Sequence, residues 1–380
     1  MVAKRIQNIE YAIRDVAVKA KELEKKGKNM LYLNIGDPNM YDFGAPIEIR
    51  KAYANAIMEG YDYYGDSQGD EELREELSKL EKVGKEDIIV TAGTSEGLIF
   101  LMGALAESGK NILLPSPCYP PYSSLVDFYG GEKRFYPCDE NWIPITEDLE
   151  KQVDKNTCAI ILVNPNNPTG AVYDGKIMKE ISNIAAQNKV PLISDEIYSD
   201  LILDEDVKMG KIDPDVPHIL ASGFSKIHLC TGYRIGYLIF KGFPEIRDSV
   251  MKLCRLRLSI NTPAQRGALA ALHIGKKHIE ESRKKMKRRR DLCLKLLGEI
   301  KDVECIRPKA AFYAFPKVNS SKWKDDMEFT YKLMEETGVV VVNGSGFSPI
   351  LDGKYFRIVY LPPEKILESA VSKIKDFIEK

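Results

Sequence analysis

The sequence predicts an α/β fold, with a large domain built on a mostly parallel sheet flanked by helices and a smaller α+β domain. The chain has 380 residues, more than one compact core usually holds. Short apolar, β-branched runs alternate with longer stretches of helical periodicity, an order typical of βαβ units. After about Arg283 the composition changes to a basic helical stretch followed by β-rich segments, which indicates the second domain.

The alternation defines the elements of the large domain. Strands are predicted at residues 88–91, 111–114, 159–163, 190–194, 219–222 and 235–240. The helices between them include 71–82, 95–107 and 176–188, each with one apolar face. An early strand, 31–35, has no partner nearby in sequence, and we expect it to join the terminal domain. The chain is therefore divided into an N-terminal arm with part of the small domain (1–45), a large domain (46–285) and a small C-terminal domain (286–380).

The composition argues against several classes of protein. The 55 basic and 56 acidic side chains leave a formal charge of −1, which does not suit a nucleic-acid-binding or membrane-surface protein. The N-terminal segment lacks the apolar core of a secretory signal, and no apolar run approaches the length of a membrane span. The seven cysteines include no C-x-x-C pair, and the four histidines show no helical metal-binding spacing. We expect a cytoplasmic protein with reduced thiols, no metal, and no nucleic-acid or membrane partner.

One basic segment could suggest nucleic-acid binding. Residues 283–290 carry seven positive charges in eight positions and would attract phosphate backbones. The segment has helical periodicity, however, and Glu280, Glu281 and Asp291 flank it. We therefore expect a solvated helix face.

The segment SGFSKIHLCTGYRIGY, residues 222–237, is the most informative. Lys226 follows a predicted strand and a turn of small residues, and strand ends in open α/β sheets face the ligand crevice. Arg234 lies eight residues later, between two glycines that permit close backbone approach. A single lysine is usually a solvated surface residue. An amine beside a fixed guanidinium, however, suits a cofactor that carries both a carbonyl group and a phosphate.

A second segment, IVTAGTSEGLIF, joins a predicted strand to a predicted helix through a tight turn. Gly93, Thr94 and Ser95 would present backbone N–H groups and hydroxyls at the positive end of the helix, where a phosphate can bind. Simple helix capping by Thr94 or Ser95 explains the same residues. Taken alone, this turn does not decide between the two interpretations.

Two further strands end in polar residues. The segment NPNNPTG, residues 164–170, is dense in turn formers, and the amide of Asn167 could donate to a ligand oxygen. Asp195 ends an apolar strand, with Tyr198 shortly after it. A buried carboxylate needs a positive partner to offset its desolvation, and a protonated pyridine nitrogen would be one.

These four segments, in this order, resemble the class I and II aminotransferases, the fold-type-I pyridoxal-phosphate enzymes that include aspartate and alanine aminotransferases. The resemblance covers the chain from about residue 10 to its end, and NPNNPTG, SDEIY and SK followed by GYRIGY carry it. It implies pyridoxal 5′-phosphate as the cofactor and an amino acid and a 2-oxo acid as the substrates. It also implies a homodimer with shared active sites.

The resemblance implies roles for the residues at matching positions. Lys226 matches the lysine that forms the Schiff base and moves the Cα proton, and Asp195 matches the partner of the pyridinium nitrogen. Asn167 and Tyr198 match the residues that bond the phenolate oxygen. The other cofactor positions are Gly93, Thr94, Ser95 and Arg234 for the phosphate, Tyr119 for stacking on the ring, and Tyr64 for the phosphate of the neighbouring subunit's cofactor.

Substrate contacts follow from the same resemblance. Arg357, in KYFRIVY, matches the arginine that holds the α-carboxylate with two hydrogen bonds, while Gly36 and Asn167 add contacts to the substrate. Many relatives have a serine three residues before the lysine, where this chain has Gly223. Whether Ser222 or Ser225 contacts the phosphate instead stays open.

Within this class the sequence resembles the alanine aminotransferases most, in the segments EYAIRDV, LNIGDP, DYYGDSQG and INTPAQ. Leu256 occupies the position at which one branch of aspartate aminotransferases has an arginine for the side-chain carboxylate, and its neighbours Arg255 and Arg257 are expected to face away. We therefore favour alanine as the amino donor and 2-oxoglutarate as the acceptor. Aspartate and aromatic aminotransferases and C–S lyases stay open, because they share the lysine, aspartate and arginine. A non-catalytic cofactor sensor or nucleic-acid-binding protein is a remote alternative.

Overall fold

The fold is described for residues 2–7, 9 and 11–380 in a computed structural model. The strands are β1 Leu31–Tyr32, β2 Ile88–Thr91, β3 Asn111–Ser116, β4 Glu132–Pro137, β5 Thr157–Val163, β6 Leu192–Asp195, β7 His218–Gly223, β8 Gly236–Lys241, β9 Val303–Glu304, β10 Tyr313–Ala314, β11 Lys317–Val318, β12 Val339–Val340, β13 Val342–Asn343 and β14 Lys354–Val359. The helices are α1 Lys4–Gln7, α2 Ala12–Lys25, α3 Ile47–Met58, α4 Glu71–Glu81, α5 Thr94–Leu105, α6 Pro121–Tyr129, α7 Thr146–Gln152, α8 Gly175–Asn188, α9 Pro244–Arg257, α10 Thr262–His273, α11 Lys277–Gly298, α12 Asp326–Thr337 and α13 Glu364–Glu379. Among the described residues, no helix is long and apolar enough to cross a membrane.

A seven-stranded sheet forms the centre of the large domain, in the order β2-β8-β7-β6-β5-β3-β4. All its neighbouring strands are parallel except at β8, which is antiparallel to β2 and β7. The six predicted strands of this region are confirmed, each within two residues at either end. The register pairs Val163 with Asp195 and Asp195 with Ala221. The segments that follow β5, β6 and β7 therefore emerge side by side at one edge of the sheet.

Both faces of this sheet are buried, which explains why its strands are almost continuously apolar. In β5, Ile160 and Leu162 belong to the core cluster that contains residues of α8, while Ile161 and Val163 belong to the cluster that contains residues of α5. This alternation is the two-residue period of a strand. Each fully buried aliphatic side chain contributes about 1.5–3 kcal/mol relative to an exposed one.

The C-terminal part of the chain forms a second, smaller layer. Strand β14 forms antiparallel pairs with β10, β11 and β13, and β11 forms an antiparallel pair with β9. Helices α11, α12 and α13 pack on this layer. Strand β1 pairs in parallel with β12, and Leu33 continues the contact through hydrogen bonds with Val340 and Val359. This confirms that the early strand joins the terminal part of the chain.

The prediction of a solvated helix face at residues 283–290 is wrong for its last two arginines. Arg289 and Arg290 are fully buried within α11. Each guanidinium forms two hydrogen bonds with one carboxylate, Arg289 with Asp42 at 2.7 and 2.8 Å and Arg290 with Asp204 at 2.8 and 2.7 Å. The carboxylates lie far away in sequence, so a local charge pattern cannot show these pairs. The proposed domain boundary at residue 285 stays a prediction, and α11 runs across it.

Candidate active site

A cavity of about 400 Å³ lies at the carboxyl ends of β5, β6 and β7. Residues from the N-terminal segment, the large sheet and the small domain contribute to it. It includes ten of the twelve predicted site residues, namely Gly36, Thr94, Ser95, Tyr119, Asn167, Asp195, Tyr198, Lys226, Arg234 and Arg357. The strand register described above brings most of them together.

Lys226 lies on the wall of the cavity, where its ammonium Nζ donates a hydrogen bond of 2.7 Å to the carbonyl of Gly36. Burial lowers the pKa of Lys226 to about 8; the carboxylate of Asp37 opposes this shift, and the guanidinium groups of Arg234 and Arg357 add to it. A substantial fraction of this amine is therefore neutral near pH 8. A neutral amine is the form that attacks a carbonyl carbon.

Asp195 ends β6 inside the cavity, and only 4% of its surface is exposed. Its Oδ2 accepts a hydrogen bond from the hydroxyl of Tyr122 at 3.0 Å, and its Oδ1 accepts one from the backbone N–H of Ile197 at 3.2 Å. Burial raises its pKa to about 6, although both hydrogen bonds act in the opposite direction. No lysine or arginine in the described part of the chain forms an ion pair with it. The site therefore holds a buried carboxylate that a bound cation would stabilise.

The turn before α5 forms a cradle for an anion. Gly93 has a φ of 73°, and a Cβ atom at this position would collide with the guanidinium of Arg234. Helix α5 begins at Thr94, and Thr94 and Ser95 line the cavity together with Arg234. The N–H groups at the start of a helix have no partner within the helix, so they can bind an anion there. The hydroxyl of Thr94 donates to the carbonyl of Ser222 at 2.9 Å, which ties the turn to β7.

The two serines near Lys226 face different spaces. Ser225 lines the cavity, whereas Ser222 lines a separate cleft. Only Ser225 is therefore placed to contact an anion at the start of α5.

Arg357 on β14 is 1% exposed and is held from several sides. Its Nη1 donates to Oδ1 of Asn167 at 2.9 Å and its Nη2 to the carbonyl of Asn34 at 2.7 Å. Its Cζ lies 4.5 Å from the ring centroid of Tyr313 and 4.9 Å from that of Phe347. Its buried Nε has no hydrogen-bond partner among the described residues. Arg357 is therefore a fixed, partly unpaired guanidinium inside the cavity, where it can bind a carboxylate.

Two tyrosine pairs complete the wall. The hydroxyls of Tyr198 and Tyr313 lie 2.7 Å apart, and those of Tyr119 and Tyr11 lie 3.0 Å apart. Burial raises the pKa of Tyr198 and Tyr119 well above the ordinary value. Both phenols therefore stay protonated and can donate hydrogen bonds at neutral pH.

Several cavity residues were missed at the sequence level. Tyr11 directly precedes α2, Arg14 lies in the first turn of α2, and Tyr313 lies in β10. Tyr313 lies in FYAFP, a β-rich segment of the small domain, and Tyr11 and Arg14 lie in EYAIRDV, a segment that supports the family resemblance without indicating a role for either residue. Tyr122, which holds Asp195, lies in PCYPPY three residues after Tyr119.

Two predicted site residues do not line the cavity. Gly93 lies directly behind it, in contact with Arg234. Tyr64 is 81% exposed, away from the cavity of its own chain. Leu256 is also 81% exposed, and neither Arg255 nor Arg257 lines the cavity, as expected.

These features fit pyridoxal 5′-phosphate. Lys226 is an amine of lowered pKa, Asp195 is a buried carboxylate without a cation, and the start of α5 with Arg234 is a phosphate cradle. When bound, pyridoxal phosphate supplies an aldehyde carbon that condenses with amines and a ring that takes up the electron pair left at Cα.

Comparison with known proteins agrees with this geometry. Residues 28–374 match the family model described as "Aminotransferase class I and II". The glutamate-pyruvate aminotransferase AlaA of Escherichia coli is 32% identical over 99% of this chain and 97% of its own length, and the (5-formylfuran-3-yl)methyl phosphate transaminase of Methanocaldococcus jannaschii is 35% identical over the full length of both. The structure of alanine aminotransferase from Pyrococcus furiosus matches with a TM-score of 0.94 and 42% identity, covering 100% of both chains. The chain therefore belongs to the class I and II aminotransferases, the pyridoxal-phosphate-dependent transaminases of fold type I.

Proposed function

We propose that this aminotransferase transfers the amino group of alanine to 2-oxoglutarate in the cytoplasm, as a homodimer with shared active sites. The observation that carries the proposal is that three guanidinium groups, those of Arg14, Arg234 and Arg357, line one cavity of about 400 Å³. The cofactor phosphate and the substrate α-carboxylate account for Arg234 and Arg357. Arg14 is left for a second carboxylate, such as the one that distinguishes 2-oxoglutarate and glutamate from pyruvate and alanine.

The position of Arg14 explains how one site serves substrates of two lengths. The side chain is exposed at the mouth of the cavity, and its charge contributes to the lowered pKa of Lys226. A long exposed side chain can turn toward a distal carboxylate and return to solvent when alanine is bound. The smaller substrate then needs only the contact to Arg357.

The remaining residues would carry the chemistry. Lys226 would hold the cofactor as a Schiff base and, once released, move the proton between Cα and the cofactor. Asp195 would keep the ring nitrogen protonated, since a cation offsets the desolvation of its carboxylate. Tyr198 and the Nδ2 of Asn167 would donate to the phenolate oxygen, because Oδ1 of Asn167 is already used by Arg357. Tyr119 would stack on the ring, and Ser225 would join Gly93, Thr94, Ser95 and Arg234 at the phosphate.

The relatives support a small amino donor and leave one alternative acceptor open. The Pyrococcus furiosus and Escherichia coli proteins are named for alanine or for glutamate and pyruvate. The Methanocaldococcus jannaschii protein is named for an aldehyde that carries a phosphate ester. Such a dianion would also suit Arg14, so a phosphorylated aldehyde is a second candidate acceptor.

The homodimer is supported by an exposed group of apolar and aromatic side chains. Met58, Tyr63, Tyr64, Leu256 and Leu258 are all exposed in the single chain. Tyr64 would reach the cofactor phosphate of the neighbouring subunit. Sedimentation of the purified protein tests this, since a monomer with full activity would contradict the shared site.

An absorbance scan of the purified, cofactor-loaded enzyme tests the substrate assignment. Alanine, glutamate, aspartate, an aromatic amino acid and cysteine are added one at a time. Alanine and glutamate should remove the absorbance of the lysine-bound cofactor within a single turnover, and pyruvate or 2-oxoglutarate should restore it. Release of pyruvate from cysteine without any lasting change of the cofactor would indicate a lyase instead.

Arg14→Gln tests the assignment of the distal carboxylate. The KM for 2-oxoglutarate should rise by about tenfold, as expected for the loss of one charge-assisted contact near the surface. The KM for alanine and pyruvate should stay within about twofold, because they lack the second carboxylate. Lys21→Gln, an exposed charge on the same helix, is the matched control. Equal effects on all substrates would show that Arg14 acts on the fold or on the overall charge.

A further inference from the structure

We propose that Tyr313 is a positioning residue of the transamination site, whose hydroxyl donates to Tyr198 and so directs the proton of Tyr198 to the cofactor oxygen. This rests on the role proposed above for Tyr198. It does not depend on which amino acid the enzyme uses, because its test needs only the bound cofactor.

Tyr313 lies where the cofactor and the substrate sites meet. Its hydroxyl is 2.7 Å from that of Tyr198, and the two rings are almost perpendicular, with centroids 5.7 Å apart. Its ring also faces the guanidinium of Arg357, whose Cζ is 4.5 Å from the centroid. Gly36 lies against the Tyr313 hydroxyl so closely that a Cβ atom on Gly36 would collide with it. One side chain therefore contacts the proposed partner of the phenolate and the proposed partner of the substrate carboxylate.

The direction of the hydrogen bond between Tyr313 and Tyr198 follows from the protons that the two hydroxyls can donate and the acceptors that are available to them. Each phenol has one proton to donate and lone pairs to accept. Tyr198 faces the cavity beside Asn167, where the cofactor would present an anionic oxygen, and an anion is a stronger acceptor than a neutral phenol. The Tyr198 proton therefore goes to the cofactor, and its oxygen accepts from Tyr313. Tyr198 is the only hydrogen-bond partner of the Tyr313 hydroxyl within the described residues.

The environment of Tyr313 favours this donor role. Burial raises the pKa of Tyr313, and the guanidinium of Arg357 and the hydrogen bond with Tyr198 act against that rise. A cation over the ring makes the phenol a better donor than an isolated buried tyrosine would be. A hydrogen bond received by Tyr198 in turn polarises the one that Tyr198 donates.

A purely structural role is the competing explanation. Tyr313 is buried in the core of the small domain, and β10 pairs with β14, the strand that carries Arg357. The ring alone could support Arg357 by packing. Tyr313→Phe separates the two roles, because it keeps the ring and removes only the hydroxyl.

The experiment is a pH titration of the visible absorbance of the bound cofactor. It reports the linkage pKa, which is the pKa of the imine nitrogen that would join the cofactor to Lys226. Donors to the phenolate lower this pKa, because they compete for the oxygen that otherwise holds the linkage proton. Tyr313→Phe should raise the pKa by about 0.5, and Tyr198→Phe should raise it by about 1 or more. The double variant should match Tyr198→Phe alone, since Tyr313 acts only through Tyr198.

Tyr360→Phe is the matched control. It removes the hydroxyl of another fully buried tyrosine of the small-domain core, which donates to the carbonyl of Ala311 and does not line the cavity. Its linkage pKa should equal that of the unmodified enzyme. Three results would overturn the proposal. The first is an unchanged linkage pKa in Tyr313→Phe, and the second is a fall in that pKa, which would mean that Tyr313 accepts the Tyr198 proton. The third is a shift in the double variant that equals the sum of the two single shifts.

Discussion

Replacing Asp195 by asparagine should stabilise the enzyme when the cofactor is absent and impair it when the cofactor is present. The carboxylate is buried without a cation, and its pKa rises from 3.8 to about 6. This difference corresponds to at most about 3 kcal/mol of folding free energy above pH 6. Asparagine can accept from the N–H of Ile197 through its oxygen, while its amide donates to the hydroxyl of Tyr122. The proton of Tyr122 then loses Asp195 as its acceptor, which offsets part of the gain equally at every pH.

The pH dependence of this effect has a definite sign. Between pH 4 and pH 6 the folded protein binds more protons at Asp195 than the unfolded chain does, so folding becomes less favourable as the pH rises. The penalty on the unmodified apoenzyme is thus absent below pH 4, about half developed at pH 5 and complete above pH 6. Asparagine removes it at every pH.

The assay is urea unfolding of both proteins without cofactor at pH 8 and pH 5, repeated at pH 8 with pyridoxal phosphate. The variant should unfold at higher urea than the unmodified apoenzyme at pH 8, with a smaller advantage at pH 5. With cofactor the order should reverse, because the ring cation then pairs with Asp195, and kcat of the variant should fall severely. An equal advantage at both pH values would refute the argument, since it would show that the effect does not come from ionisation.

Three further outcomes follow from the site and the fold. Lys226→Ala should abolish turnover and the lysine-linked absorbance of the cofactor, and any turnover comparable to that of the unmodified enzyme would place the catalytic amine elsewhere. Arg357→Ala should raise the KM for amino acids by a factor on the order of a hundred, and an unchanged KM would mean that another residue holds the α-carboxylate. Arg290→Ala should lower the free energy of unfolding by about 3 kcal/mol, because it breaks a buried pair with Asp204. Arg288→Ala, on the exposed side of the same helix, should change it by less than about 1 kcal/mol, and equal losses would contradict the distinction.

Most of the central sheet could be predicted from the sequence because its strands are buried on both faces. Such strands are short, continuous apolar runs that stand out between amphipathic helices, as residues 159–163 and 190–194 do. The order of those strands also predicts that Asn167, Asp195 and Lys226 meet, since parallel strands end at the same edge. The motifs that follow these strands therefore locate the candidate site without any knowledge of its shape.

The small domain was less predictable. Its strands are mostly two residues long, and β1 finds its partner β12 more than 300 residues later. Such short strands carry no period that could be recognised in the sequence. Pairing between distant segments and packing against α2, α11, α12 and α13 define them.

The basic stretch of α11 shows that a pattern of charges in the sequence does not predict which charged side chains are buried. Arg288 and Arg289 are neighbours of the same type, yet the first is exposed and the second is buried against Asp42. The histidines show the same limit: Nδ1 of His228 lies 3.1 Å from Nε2 of His278, although no sequence spacing suggests a pair. Both outcomes depend on which distant element a helix packs against.

The sequence by itself determined the fold class, the family and the main residues of the candidate site, because these depend on residue type and on order along the chain. The tertiary structure alone decided which side chains surround those residues. Arg14, Tyr122 and Tyr313 enter the site from three separate elements, and Arg357 is held between the rings of Tyr313 and Phe347, which precede it by 44 and 10 residues in sequence. The physical reason is that hydrogen bonds, burial and the pKa values they set depend on distances of a few ångströms between segments far apart in the chain, and no local pattern encodes those distances.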